Sequence, residues 1–198
     1  MQKTRCYWAI NVSPEEIIYH DTEWGVPCYD DAHLFEMLLL EGAQAGLSWS
    51  TILNKREGYR LHYDGFNPEK IALWTDDKIE QLMLEPAIIR NRLKINAART
   101  NAQVFLNMLD EYASFSDYLW QFVDGKPVHN TWKTHAELPA FTEQSELMAK
   151  TLHKVGFRFV GKTICYAYMQ AVGMVNDHTT DCFRHSQCGI YRLDHKNI

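Results

Sequence analysis

The sequence predicts an all-α protein built from many short helices. Three observations carry that expectation. Apolar residues recur at three- and four-residue steps over most of the chain, the spacing that returns to one side of a helix. Helix-start signals precede several of those stretches. No alternating apolar run is long enough to build a sheet.

The periodic stretches predict helices over residues 31–45, 51–60, 76–84, 88–109, 115–122, 143–155 and 162–172. "SPEE" at 13–16 offers Ser13 as a cap, Pro14 in the first helical position and two acids in the first turn. That combination suits the free amides and the positive end of a helix. "NPEK" at 67–70 and "TDDK" at 75–78 begin helices in the same way. Breaks are expected at Gly25-Val26-Pro27, Gly65, Gly125-Lys126-Pro127 and Gly156, where glycine and proline interrupt the pattern. No repeat or low-complexity tract divides the chain. Residues 1–198 therefore read as one domain, with room for two lobes around a shared core.

The bulk numbers exclude several classes. Hydrophobic residues make up 46% and charged residues 23%, an ordinary globular balance. No apolar run approaches the roughly 20 residues of a membrane helix. "MQKTRCYWAINVSPEE" lacks the apolar segment of a secretory signal. The expectation is a soluble, cytoplasmic protein with no membrane partner. Five cysteines without regular spacing do not suggest a disulfide framework, so they read as thiols or metal ligands. A net charge of −5 argues against the whole molecule acting as an electrostatic trap for nucleic acid. The basic clusters "NKREGYR" (54–60), "RNRLK" (90–94) and "HKVGFRFVGK" (153–162) read first as solvated helix faces.

Three features ask for more. In "LFEMLLLEGAQAGLSW" (34–49), Leu34, Met37, Leu38 and Glu41 share one helical stripe, while Glu36 points nearly opposite. Glu36 is thus expected in water and Glu41 on the core face, where a charge is costly unless it is partnered. A structural acid and a functional one are equally open on these residues alone. Secondly, "LHKVGFRFVGKTICYAYMQAVG" (152–173) reads as helix, turn and helix, with Gly156 and Gly161 at the corners. Helix amides at such a turn can meet a phosphate, although an ordinary helix–helix turn has the same pattern. Thirdly, Cys6 and His20 lie near one end of the chain and His178 and Cys182 near the other. Thiolate and imidazole suit tetrahedral zinc, and His185 with Cys188 offers a rival pair.

Together, "YHDTEWGVP" (19–27), "LFEMLLLEGAQAGLSW" (34–49), "AIIRNRLKI" (87–95), "GFRFVGKTICYAYMQAVGMVNDH" (156–178) and Cys182 resemble bacterial DNA-3-methyladenine glycosylase I, in that family's order and over nearly the whole chain. The resemblance implies a helix-hairpin-helix DNA glycosylase-like fold with a zinc site joining the N- and C-terminal segments. It implies a base-excision repair enzyme that flips 3-methyladenine out of alkylated double-stranded DNA. Such an enzyme hydrolyses the N-glycosidic bond and releases free 3-methyladenine, leaving an abasic site. It also implies a monomer holding one structural Zn2+ on Cys6, His20, His178 and Cys182. Glu41 is implied as the catalytic, base-recognising acid, with Tyr19, Trp24, Trp49 and Trp8 as base-binding walls. Gly46 and Leu47 are implied at the gap left by the base, and Gly156, Gly161, Lys162 and Thr163 on the DNA backbone. No lysine in these motifs stands where a Schiff-base nucleophile is implied, which points to a monofunctional hydrolase. The alternative is a non-catalytic module that binds alkylation damage on the same fold.

The chain departs from the pattern at four places. The stretch between Cys6 and His20 is one residue longer than the pattern, which bears on the mapping of Trp8. Glu16 stands where some relatives carry a second tyrosine three residues before Tyr19, which removes one expected stacking contact. Ala87 replaces a glycine before "IIR". Asn176 occupies the position where superfamily relatives generally carry a catalytic Asp, a loss that fits this family.

Overall fold

The structure, a computed structural model, describes residues 3–188 of the 198-residue chain. Helix α1 spans Pro14–Thr22, α2 Asp31–Gln44, α3 Trp49–Leu53, α4 Arg56–His62, α5 Pro68–Ala72 and α6 Asp76–Leu82. Then follow α7 at Arg92–Met108, α8 at Phe115–Trp120, α9 at Glu143–Val155, α10 at Lys162–Ala171 and α11 at Phe183–Cys188. Two short strands, β1 (Val128–His129) and β2 (Val175–Asn176), pair in parallel. They are a local bridge, and the molecule is mostly helical as expected.

Most helix starts follow from local chemistry. Ser13 closes a capping box with Glu16 at the start of α1, with Pro14 in the first turn. The side chains of Asn67, Thr75 and Asn91 cap α5, α6 and α7 by accepting from first-turn amides. Each supplies an acceptor to an amide that has no partner within its helix. Two expected helices differ from those seen. The stretch 51–60 is two helices, because Ser48 caps α3 early and the chain turns at Asn54 and Lys55 before α4. The stretch expected from 88 begins at Arg92, because Asn91 accepts from the Leu93 and Lys94 amides and sets the start there.

Helix α2 is the centre of the fold. Every residue from Leu34 to Ala43 is buried. Helices α3, α7, α8 and α10 pack against it, and α10 also lies along α9. The Tyr168 hydroxyl of α10 donates to the Leu34 carbonyl of α2 at 3.0 Å. Because α2 is wrapped on all sides, the expectation that Glu36 meets water is overturned. Glu36 is buried. Its Oε1 accepts from Arg56 Nε at 2.7 Å and from Arg60 Nη2 at 2.9 Å. Arg56 Nη1 also donates to Glu23 at 2.8 Å. The arginines of "NKREGYR" therefore neutralise an inward-facing acid. Periodicity within one helix shows which residues oppose one another, but not that a second layer covers the far face.

The hairpin between α9 and α10 forms as expected. Gly156 ends α9 at φ +115°, a conformation that side-chained residues rarely adopt. Gly161 differs, with an ordinary φ of −66° and open space where a side chain would stand. Asn101 of α7 clamps the turn, accepting from the Arg158 amide at 2.7 Å and donating to its carbonyl at 3.1 Å. Near the two ends of the described residues, the Phe183 amide donates to the Thr4 carbonyl at 3.0 Å, so the segments about residues 4 and 183 meet.

Removing one partner of a buried ion pair exposes the desolvation cost of the other. Glu36→Ala is expected to destabilise the fold by about 3 kcal/mol in urea unfolding, with Arg56 left holding Glu23 alone.

Candidate functional site

A cavity of about 310 Å3 opens beside α2. That volume lies at the lower end of small-ligand pockets, roughly 300–1,000 Å3. Trp8, Tyr19, Trp24 and Trp49 line it together with Glu41. Four separate stretches of sequence supply these five residues, and the fold brings all of them together. Trp8 meets Trp24 edge to face with ring centroids 5.0 Å apart, and Tyr19 lies 5.1 Å from Trp49. Tyr19 and Trp24 are buried, whereas Trp8 and Trp49 are half-buried and form the mouth.

Glu41 is 3% exposed, and its Oε2 is buried without a hydrogen-bond partner. The Trp49 Nε1 donor is also buried without a partner. Buried polar atoms are nearly always satisfied, so an unpaired acceptor and donor on one cavity mark a place for a ligand. Burial pushes the Glu41 carboxyl up to about 8. Among the described residues no cation is positioned to bring it down, in contrast to Glu23, which His33 and Arg56 hold at about 2 against burial.

Other lining residues carried little signal in the sequence. Glu16, noted above for departing from the aromatic pattern, faces the cavity while its Oε2 accepts from Ser50 Oγ at 3.1 Å and from the Ser13 amide at 3.3 Å. Gln170 lines the wall and donates to Asp177 at 2.8 Å. Asp177 is buried and also accepts from Asn130, Trp132 and Tyr166, so it is fully engaged and set back from the cavity. Asn176 is likewise outside the lining; its side chain donates to the His185 carbonyl at 2.9 Å. His135 and Leu138 complete one side from a stretch without periodicity, where nothing in the sequence pointed to a site. Ala87 packs its carbonyl so closely on Gly58 that a side-chain carbon at Gly58 would lie 2.4 Å away.

Gly46 and Leu47 sit on an exposed turn directly before the lining residues Ser48 and Trp49. Gly161 and Lys162 line a different hollow, an open groove on the hairpin of about 500 Å3 shared with Lys150 and His153. That groove is larger, but unlike the aromatic cavity it holds no buried unpaired polar atom among the described residues. Thr163 is exposed in the first turn of α10, and Gly156 is at the opposite corner.

Behind the aromatic walls, Cys6, His20, His178 and Cys182 form a buried cluster whose ligand atoms all lie within 4.8 Å of one another. Cys6 Sγ is 3.4 Å from His178 Nδ1, and Cys182 Sγ is 3.5 Å from His178 Nδ1 and from His20 Nε2. Donors around a tetrahedral zinc stand about 3.5 Å apart, so the set fits a metal of that kind. The outward ring nitrogens are also fixed. His20 Nδ1 donates to Asp21 at 2.8 Å and His178 Nε2 to the Trp24 carbonyl at 3.0 Å, which leaves each ligating lone pair facing inward. The hydrogen bond from Cys6, then those from the two histidines, pull the Cys182 thiol down against burial. His185 of the rival pair instead contacts the Asn130 carbonyl at 2.9 Å. The cluster also supports the cavity, since the Trp24 ring packs on His178 at 4.6 Å and Trp8 on His20 at 5.2 Å.

The fold and cavity define the class, a mostly helical protein with an aromatic, acid-bearing ligand pocket. The profile described as methyladenine glycosylase matches residues 8–185, and the chain belongs to that family. It is 47% identical over 178 residues to DNA-3-methyladenine glycosylase 1 of Escherichia coli (strain K12), covering 90% of this chain and 95% of that one. A crystal structure of 3-methyladenine DNA glycosylase I superposes with a TM-score of 0.89 at 48% identity, over 91% of this chain and 98% of the other. A variant of 3-methyladenine DNA glycosylase I solved in complex with 3-methyladenine gives a TM-score of 0.87 at 35% identity, covering 90% and 95%.

The Glu41 carboxyl has consequences for stability. Its folded pKa of about 8 exceeds the ordinary 4.5, so the folded protein holds a proton that the unfolded chain releases between those values. Stability is therefore full below about pH 4.5 and declines as pH rises through about 8. The loss is on the order of 4 kcal/mol. Urea unfolding at pH 5 and pH 9 should show Glu41→Gln abolishing that difference.

Proposed function

We propose that this chain excises 3-methyladenine from alkylated double-stranded DNA as a monofunctional glycosylase. The observation that carries this is the unpaired, buried carboxylate oxygen of Glu41 inside an aromatic cavity. The relatives described above, one of them in complex with 3-methyladenine, support the same substrate.

The target base lies inside a duplex, and rotating it out costs a few kcal/mol. Stacking on Trp8, Tyr19, Trp24 and Trp49 offsets that cost, at about 1–3 kcal/mol per base–aromatic contact in single-strand systems. Methylation at N3 makes the adenine cationic. Electron-rich ring faces and a carboxylate both favour a cation over a neutral base. In the free site Glu41 is held neutral below about pH 8. An arriving cation lowers that value, so binding draws the proton off and leaves an ion pair sheltered from water. The ionised carboxylate then accepts from the exocyclic amine of the base. Gln170 and Glu16 add further polar groups on the wall.

Bond cleavage asks little more of the protein. The cationic base is a good leaving group. It departs with the electron pair of the glycosidic bond and becomes neutral, while a water oxygen adds to the sugar carbon and its proton passes to solvent. The Glu41 anion stabilises positive charge on the sugar as the bond loosens, a gain confined to the transition state. Among the described residues no lysine lines the cavity, in keeping with a hydrolase that does not cut the strand. On the hairpin, Gly161 leaves α10 without a side-chain cap, so its first-turn amides are free for a backbone phosphate. This is the part of the molecule we assign to a helix-hairpin-helix grip, with Gly156, Lys162 and Thr163 beside it. Leu47, at the tip of its turn, fills the gap left by the base.

The Cys6, His20, His178 and Cys182 set would hold Zn2+, which when bound supplies a structural cross-link and no chemistry on the base. These residues tie the N-terminal wall residue Trp8 to the C-terminal segment.

Base release from methylated duplex DNA tests the function. Wild-type protein is expected to liberate free 3-methyladenine, with kcat/KM falling about tenfold per unit as pH drops below about 8. Glu41→Gln should be slower by at least about a hundredfold and lose that pH dependence. Binding to alkylated DNA without any base release would instead favour a damage-binding module. Elemental analysis is expected to give one zinc per chain and a substoichiometric content in Cys182→Ser. A full equivalent in that variant would move the ligand elsewhere.

A further inference from the structure

The basic cluster at 90–94 lines neither the aromatic cavity nor the groove at the hairpin, yet one member reaches the end of α2 from behind. Helix α2 ends at Gln44, three residues beyond Glu41, and its last carbonyls lack partners within the helix. The chain then makes a tight turn. Ala45 has φ −43° and ψ 115°, Gly46 has φ +78°, and the Leu47 amide donates to the Gln44 carbonyl at 2.6 Å. These are the angles of a type II turn, which calls for glycine at its third position. Leu47 projects from it, 41% exposed. Nothing lies within 4 Å of where a Gly46 side chain would stand, so the turn has no packing on that side.

Lys94 supplies the support that packing does not. From α7, its Nζ donates to the Ala43 carbonyl and to the Ala45 carbonyl, each at 2.7 Å. One carbonyl belongs to the last turn of α2 and the other to the turn that follows. The ammonium therefore fixes one relative to the other, at the negative end of the helix where a cation is favoured. Among the described residues it has no acidic partner within ion-pairing distance. The two carbonyls it holds lie between Glu41, on the cavity, and Leu47, at the tip. Besides Lys94, two backbone bonds hold the turn among the described residues, from the Leu47 amide to the Gln44 carbonyl and a longer one, 3.4 Å, from the Ala45 amide to the Gly42 carbonyl.

We propose that Lys94 is a positioning residue that holds the Gly46–Leu47 turn in the attitude needed for Leu47 to enter the duplex as the base leaves. This rests on the reading of Leu47 as the gap-filling residue.

The test compares Leu47→Ala, Lys94→Met and the double variant. Two affinities are measured, one for a duplex carrying a tetrahydrofuran abasic-site analogue and one for free 3-methyladenine. Each single variant should bind the abasic duplex roughly tenfold more weakly, the scale of one charge-assisted hydrogen bond or one apolar wedge. Because Lys94 acts through Leu47, the double variant should be no weaker than Leu47→Ala alone. Affinity for the free base should be unchanged throughout. A multiplicative loss in the double variant would overturn the proposal by showing that Lys94 acts on the DNA itself. So would a fall in free-base affinity, which marks general structural damage, or wild-type behaviour of Lys94→Met. If Leu47→Ala binds the abasic duplex normally, the gap-filling role and the proposal fail together, while base release still judges the glycosylase reading on its own. Lys94→Gln, which keeps a shorter donor, replaces the methionine variant if that protein does not fold.

Discussion

A carboxyl group with a buried, unpaired oxygen is an unfavourable thing for a protein to hold, and the organisation of this molecule follows from holding one. Glu41 can be kept dry only because α2 is enclosed on every side. That enclosure forces a second acid, Glu36, inward as well. Arg56 and Arg60 neutralise Glu36, and Arg56 takes Glu23 with it. No such cation reaches Glu41. The two acids of one helix thus receive opposite treatment, one satisfied by the fold and one left waiting. The difference between them is what makes the cavity a site and the Glu36 cluster a piece of architecture.

The aromatic walls need holding in place too, since half-exposed tryptophans can pack in more than one way. Here the Cys/His cluster and the cavity share a boundary. His178 bonds the Trp24 carbonyl and packs on the Trp24 ring, while His20 packs on Trp8. A metal there would act at a distance of one side chain from the cavity. It would do so by immobilising rings and by drawing together segments more than 150 positions apart in the chain. On this view the two cysteines and two histidines belong to the pocket energetically although they never face it.

Much of this was legible in the sequence, for identifiable reasons. Helix starts such as Ser13-Pro14 and Thr75 were plain because capping is local chemistry. Tyr19, Trp24, Glu41 and Trp49, with His20 and His178, stood out because they lie in long, distinctive motifs, whereas Trp8, Cys6 and Cys182 lie outside those motifs. What escaped was set by tertiary packing. Glu36 looked solvated because a helical wheel cannot show what covers its far side. The break between α3 and α4 falls at Asn54 and Lys55, and neither a glycine nor a proline stands there to announce it. His135 and Leu138 reach the cavity from an irregular segment whose course depends on its neighbours. Gln170 was a polar residue in an apolar helix, a signal that was present but shared with many ordinary positions.

The internal pairing of the arginines carries a consequence for how such a protein would travel. Arg56, Arg60, Arg92 and Arg99 each face an acid of their own chain, and the molecule as a whole is negative. Cations paired in this way have little charge to spare for a polyanion, so how firmly the molecule clings to one as salinity changes would be set by those outside the pairs, Lys154, Arg158 and Lys162 about the α9–α10 turn among them.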